Sequence, residues 1–226
     1  MKNLYNALLL KQLHQLKAMG YRYTNSNSFS SKEEELKLPN TINALNNQVK
    51  NCHLCSLSKG RKHVVCGEGN SSGNIMFIGD IPQEQEDTEG RIFLGQGGKM
   101  LTSMIEKVLN ISRNEVYITN LLKCRPQSNQ ELNEALIHTC KAYLLKEIEL
   151  VQPKIIVTLG EKAYQYLTND YSPLEKVRGN IIQHTKYHIV PTYHPRFLLK
   201  NPSLKKEVFL DLQKVKKLNS KLQSIL

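Results

Sequence analysis

Residues 153–160 read PKIIVTLG, five apolar or β-branched residues set between a proline and a glycine. A run this short, bounded by turn formers, is the pattern of a strand buried within a sheet. Three further runs share it: NIMFIG at 74–79, EVYITN at 115–120 and YHIVPT at 187–192. Between them lie longer segments with helical periodicity, 98–109, 131–151 and 161–167, and a shorter one precedes them at 42–49. Strands alternating with helices predict a central four-stranded parallel sheet with helices on both faces.

In an open parallel sheet the ligand site lies beyond the carboxyl ends of the strands. Those ends carry Asp80 and Pro82 after the first strand, Asn120 at the second, Gly160 after the third, and Tyr193, His194 and Pro195 after the fourth. An acid, an amide and an imidazole are therefore expected on one rim. No glycine-rich phosphate loop of the Walker or dinucleotide type is present, so no nucleotide cofactor is expected.

The chain of 226 residues has a formal net charge of +11. Residues 196–226 hold eight Lys or Arg against two acids, more than half of that excess, and Lys162 opens a predicted helix. A localised basic surplus suits a polyanionic partner, or else a solvated helix that keeps the protein soluble. The N-terminal MKNLYNALLLKQLHQLKAMG places Leu4, Leu8, Leu13 and Leu16 on one helical face with Gly20 as the stop. It reads as an amphipathic helix over 1–23 rather than a signal peptide. The stretch TNSNSFSSKEEELKLP predicts a polar linker over 24–40. No run approaches the length of a membrane span. A cytoplasmic monomer with reduced thiols is the expectation.

Five cysteines, Cys52, Cys55, Cys66, Cys124 and Cys140, are too sparse and too odd in number for a disulfide scaffold. Cys52 and Cys55 form a Cys-x-x-Cys pair in NCHLCSLSKG, while Cys124 in NLLKCRP and Cys140 in IHTCKAY have fifteen residues between them. Two distant pairs meeting in space is the usual construction of a four-thiolate metal site. The other reading makes Cys140 a small buried hydrophobe on its helix. Spacing does not separate zinc from iron and sulfur, and Cys66, in VVCGEGN, reads as a buried residue.

The stretches CHLCSLSKGRKHVVCGEGN, FIGDIPQEQEDTEGRIFLGQGGKML, VYITNLLKCRP, PKIIVTLGEKA and VPTYHPRFLLKN resemble, in order and over residues 50–210, the motifs of the family 4 uracil-DNA glycosylases. The resemblance implies a three-layer α/β/α uracil-DNA glycosylase-like domain over 41–226. It also implies a 4Fe-4S cluster on Cys52, Cys55, Cys124 and Cys140, and uracil-containing DNA as substrate. On the matching positions, Asn120 would read the O4/N3 edge of uracil, Phe93 would stack on the base, and Gly79, Ile81, Pro82, Gln83 and Glu86 would form the pocket wall. Asp80 and His194 would be catalytic, and Arg196 with Lys162 would approach the DNA.

Two departures stand out. Where the family pattern reads Gly-Glu-Ala/Gly-Pro-Gly, this chain has Gly79-Asp80-Ile81-Pro82-Gln83, an acid one methylene shorter and a glutamine for the final glycine. The insertion by which some relatives trap DNA through a histidine is missing, and no lysine stands out as a Schiff-base nucleophile. The expectation is a monofunctional glycosylase releasing uracil and leaving an abasic site. The alternative is a non-catalytic, cluster-stabilised DNA-binding protein of the replication or repair machinery. A Phe is ordinarily core, an Asn at a strand end a turn residue, and the acids at 84, 86, 87 and 89 a solvated loop.

Overall fold

In a computed structural model the chain divides into two units, Met1–Lys37 and Leu38–Leu226. The structure describes residues 38–127 and 134–224, with Lys17 as an isolated position before them. The helix expected over 1–23, most of the linker expected over 24–40 and the first turn of the helix expected at 131–151 thus lie outside the described residues.

The second unit is built on a six-stranded sheet. Its elements are α1 (Ile42–Lys50), β1 (Glu68–Gly69), β2 (Ile75–Gly79), α2 (Glu84–Glu89), α3 (Gly95–Met104), β3 (Tyr117–Asn120) and α4 (Glu134–Val151), followed by β4 (Ile155–Leu159), α5 (Glu161–Thr168), α6 (Leu174–Val177), β5 (Ile182–Gln183), β6 (His188–Thr192), α7 (Pro195–Lys200) and α8 (Lys205–Gln223). The strands lie in the order β1-β3-β2-β4-β6-β5. The inner four are parallel, as expected, in a register that aligns Phe77 with Ile118 and Val157, and Val157 with Val190. Two-residue antiparallel strands extend each edge. They are too short to carry a periodic signal, which is why the sequence reading has four strands.

Alternation along the strands creates the layers. Ile75, Phe77, Ile118, Ile155 and Val157 join Leu101 and Ile105 from α3 and its π-helical continuation, with Val208, Leu212 and Val215 from α8, in one apolar cluster. Met76, Ile78, Tyr117 and Ile156 point the other way, onto Leu45 of α1, Leu144 and Ile148 of α4 and Ala163 of α5. All five residues of β2 and of β4 are buried, as strands covered on both faces require.

The C-terminal helix α8 is fastened through a buried acid. Asp211 accepts from Thr192 Oγ1 at the end of β6 (2.8 Å) and from Arg178 Nη2 (2.9 Å), and Arg178 also reaches Glu207 (3.0 Å). The expected basic face of residues 205–221 is present, with Lys206 and Lys217 exposed opposite the buried stripe and Lys205 exposed beside it. Asp211→Ala should lower stability by about 2–3 kcal/mol, below the cost of opening a fully buried pair because Glu207 still faces Arg178. A denaturant midpoint that falls with an unchanged slope checks this; an unmoved midpoint refutes the anchor.

Candidate active site

The carboxyl rim gathers the residues that the strand order predicts. Gly79 and Asn120 are register partners at the ends of β2 and β3. A pocket opens there, lined by Ile81, Gln83, Glu86, Phe93, Leu94, Gly97, Asn120, His194 and Arg196. At its floor the Asn120 side chain is 1% exposed, and neither its Nδ2 nor its Oδ1 has a hydrogen-bond partner. A buried amide left unpaired costs about 1–3 kcal/mol, so this one is poised for a ligand that offers an acceptor and a donor side by side. Gly79 makes room for it, since a Cβ there would strike Asn120 Oδ1 and lie 2.9 Å from Phe93 Cζ.

Phe93 adopts a left-handed backbone, φ 50°, unusual for a bulky residue and held from two sides. A Cβ on Gly98 would run into the Phe93 carbonyl, so only glycine lets the first turn of α3 pack against it. Glu86 provides the second hold: Oε1 accepts from Leu94 N (3.2 Å) and Oε2 from Gln83 N (2.8 Å). Burial raises the Glu86 carboxyl, against the pull of those amides. Glu86 therefore lines the pocket with both oxygens committed to backbone, a bracket for the Phe93 loop.

The reading of residues 84–89 as a solvated loop is corrected: they form α2, with Glu86 and Asp87 buried. Acids in a first helical turn meet unpaired N–H groups and the positive end of the helix. Asp87 Oδ1 accepts from Lys62 N (3.0 Å) and from His63 N (3.4 Å) in addition. Gln83 starts this helix and folds its Nε2 back onto Ile81 O (3.2 Å), so the departure from glycine adds to the pocket wall. Pro82 is buried behind the loop.

His194 caps α7. Its Nδ1 accepts from Arg196 N (3.1 Å), which places the neutral ring's proton on Nε2, the nitrogen 3.5 Å from Asp80 Oδ1. The ring lies 5.7 Å from that of Phe93 at 22°. Burial lowers the His194 pKa to about 4, with Arg196 acting the same way and Asp80 opposing. Asp80 Oδ1 also accepts from Ile81 N (2.8 Å) and Arg196 Nη2 (3.2 Å). Asp80 and His194 meet across β4, the strand between theirs, because that strand ends in Gly160 at φ 92°, where a Cβ would lie 3.3 Å from that of His194. The sequence marks Gly160 only as a strand end; its role depends on the strand order. Lys162 is exposed in the first turn of α5, outside the pocket lining.

A second, small cavity is lined by Cys52, Cys55, Cys124 and Cys140 together with Arg61, Lys123 and Tyr143. Cys66 stands outside it, buried, its thiol directed at Asn46 O (3.7 Å) and pushed up to about 11 by burial. Among the described residues no three His, Cys, Asp or Glu side chains converge as they would on a single ion. Four thiols around a volume suit a cluster, in which each thiolate takes a different iron. Arg61 Nη1 donates to Cys124 Sγ (3.2 Å) and would offset thiolate charge. Burial raises the Cys140 thiol to about 12 and the Cys124 thiol in the same direction.

The family model described as Uracil DNA glycosylase superfamily matches residues 66–222, which contain the whole sheet and the pocket. The chain belongs to the uracil-DNA glycosylase superfamily. It is 43% identical over 183 residues to the type-4 uracil-DNA glycosylase of Saccharolobus solfataricus, covering 77% of this chain and 85% of that one. Identity to the type-4 enzyme of Thermotoga maritima is 39% (75% and 90% covered), and to that of Archaeoglobus fulgidus 33% (79% and 94%). Cys52 and Cys55 precede the stretch matched at the superfamily level.

The His194 geometry predicts a neutral ring through physiological pH. Because its folded value lies below the ordinary 6.5, protonation opposes folding: stability declines as pH falls from about 6.5 and stops declining once pH has passed through about 4. A ¹⁵N NMR titration should find Nε2 protonated and Nδ1 not, down to about pH 5. A midpoint near 6.5 would contradict this.

Proposed function

We propose that the protein hydrolyses the N-glycosidic bond of deoxyuridine in DNA, releasing uracil and leaving an abasic site for base excision repair. The observation that carries this reading is the unpartnered, buried Asn120 amide beneath Phe93. Uracil presents an N3–H donor beside an O4 acceptor, the complement of that amide, whereas cytosine offers an acceptor beside a donor. The base must leave the stack to reach it, and the Phe93 ring replaces the neighbouring bases.

As the N1–C1′ bond breaks, negative charge spreads to uracil O2. Nε2–H of His194 donates there, an interaction that strengthens as the charge develops and so lowers the barrier. Neutrality is an advantage, since the uracil anion is itself a weak base. Asp80 positions the attacking water and offsets positive charge on the sugar, its short side chain anchored by Ile81 N and Arg196. Arg196, Lys162 and the exposed lysines of α8 meet phosphates.

Cys52, Cys55, Cys124 and Cys140 would hold a 4Fe-4S cluster at the cysteine cavity. Hydrolysis moves no electrons, so the bound cluster supplies a cross-link tying α1, the loop after β3 and α4 together. Among the described residues no helix is long and apolar enough to cross a membrane, and we place a monomeric enzyme in the cytoplasm.

Incubation with a uracil-containing oligonucleotide followed by alkali should break the strand at uracil; a shifted band without breakage would mean a DNA-binding protein only. His194→Ala and Asp80→Asn should each lower the single-turnover rate on the order of a hundredfold while uracil-DNA binding holds. Rates near wild type would remove those roles. Anaerobically purified protein should be brown and contain iron, and Cys124→Ala colourless; a colourless, iron-free and fully active wild type would refute the cluster. Log affinity for duplex should fall with log salt by roughly 0.9 per neutralised phosphate, and a flat response would discount the basic helix.

A further inference from the structure

A buried ion pair behind the pocket belongs to none of these steps. Lys123 Nζ and Glu147 Oε2 lie 2.6 Å apart with side chains 1% and 2% exposed. Removing two charges from water costs more than their attraction commonly returns, so such a pair is weak evidence of a role in stability. Its connections are specific. Lys123 Nζ donates to the Asn120 carbonyl (2.9 Å) and to Thr119 Oγ1 (2.6 Å), and Thr119 Oγ1 donates to Glu147 Oε2 (2.8 Å).

The sheet explains why a side chain is needed there. β1 pairs with Tyr117 and Ile118 and goes no further, which leaves the outer edge of β3 without a strand partner at Thr119 and Asn120. The chain turns after Leu122, and Lys123 reaches back to supply the missing donor. Glu147, on α4, neutralises it. The base-reading residue thus sits on a strand end that no neighbouring strand holds on that side.

We propose that Lys123 and Glu147 are positioning residues for base recognition: by fixing the Asn120 carbonyl they set the angle at which its side-chain amide meets uracil. The proposal rests on the assignment of Asn120 as the uracil reader. Loss of either charge alone strands the other in the interior and is expected to unfold the protein, so both must be removed together. In Lys123→Met/Glu147→Gln the new amide keeps an acceptor for the Thr119 hydroxyl, while the Lys123 donors to Asn120 O and to Thr119 Oγ1 are both lost.

The test is the ratio of single-turnover rates on uracil- and cytosine-containing oligonucleotides, read beside the melting temperature, with Asn120→Ala in parallel. The expected double variant is folded, with uracil excision lowered on the order of 10- to 100-fold and a reduced uracil-to-cytosine ratio. Unchanged rate and ratio in a folded double variant, while Asn120→Ala loses discrimination, would overturn this proposal alone. No loss in Asn120→Ala would overturn the reading beneath it. Should the double variant fail to fold, Lys123→Met/Glu147→Leu decides, because an apolar pair of similar volume is often tolerated where an ion pair was buried: a lowered ratio in this variant supports positioning, and wild-type kinetics refutes it.

Discussion

A polar group sealed from water has to be paired, and the Asn120 side chain is sealed with neither of its polar ends paired. The rest of the rim is arranged around that fact. Gly79 withholds a side chain so that the amide has space, Phe93 covers it from a strained backbone, and Glu86 uses both carboxylate oxygens to keep that backbone in place. His194 and Asp80 face the same space from strands on either side of β4, joined through the gap left by Gly160. The site is preorganised, so its polar groups need little rearrangement when charge develops on the departing base.

One interface serves both the pocket and the cysteine cavity. The segment from Asn120 to Cys124 carries the proposed base reader at one end and a thiol at the other, with Lys123 between them. Helix α4 answers it with Cys140 and Glu147, seven residues or two turns apart and so on a common face. A cluster gripping Cys124 and Cys140 would therefore brace the same loop that Lys123 and Glu147 brace from within.

The architecture was legible because four apolar runs with helical segments between them admit few arrangements, and strand ends then name the rim: Asp80, Asn120, Gly160 and His194. What the residues could not reveal depended on strand order or on burial. The two edge strands are two residues long and leave no period to detect. The acids at 84–89 look solvated in sequence because a capping carboxylate and a surface one are the same residue, and only the buried amides around Glu86 and Asp87 distinguish them. Lys123 gave no signal, since a lysine beside a cysteine reads as surface charge until α4 brings Glu147 against it. The motif resemblance names Phe93 as a stacking residue and residue type alone points to core; the ring lines the pocket and is also a buried member of the apolar cluster shared by α3 and α8.

The account turns on whether uracil completes the Asn120 amide. The most direct measurement is the ¹⁵N NMR signal of the Asn120 side-chain NH₂, assigned by its loss in Asn120→Asp and followed as free uracil or free cytosine is added. The account predicts a saturable shift with uracil and none with cytosine. A signal that ignores uracil, or responds equally to both bases, would contradict it.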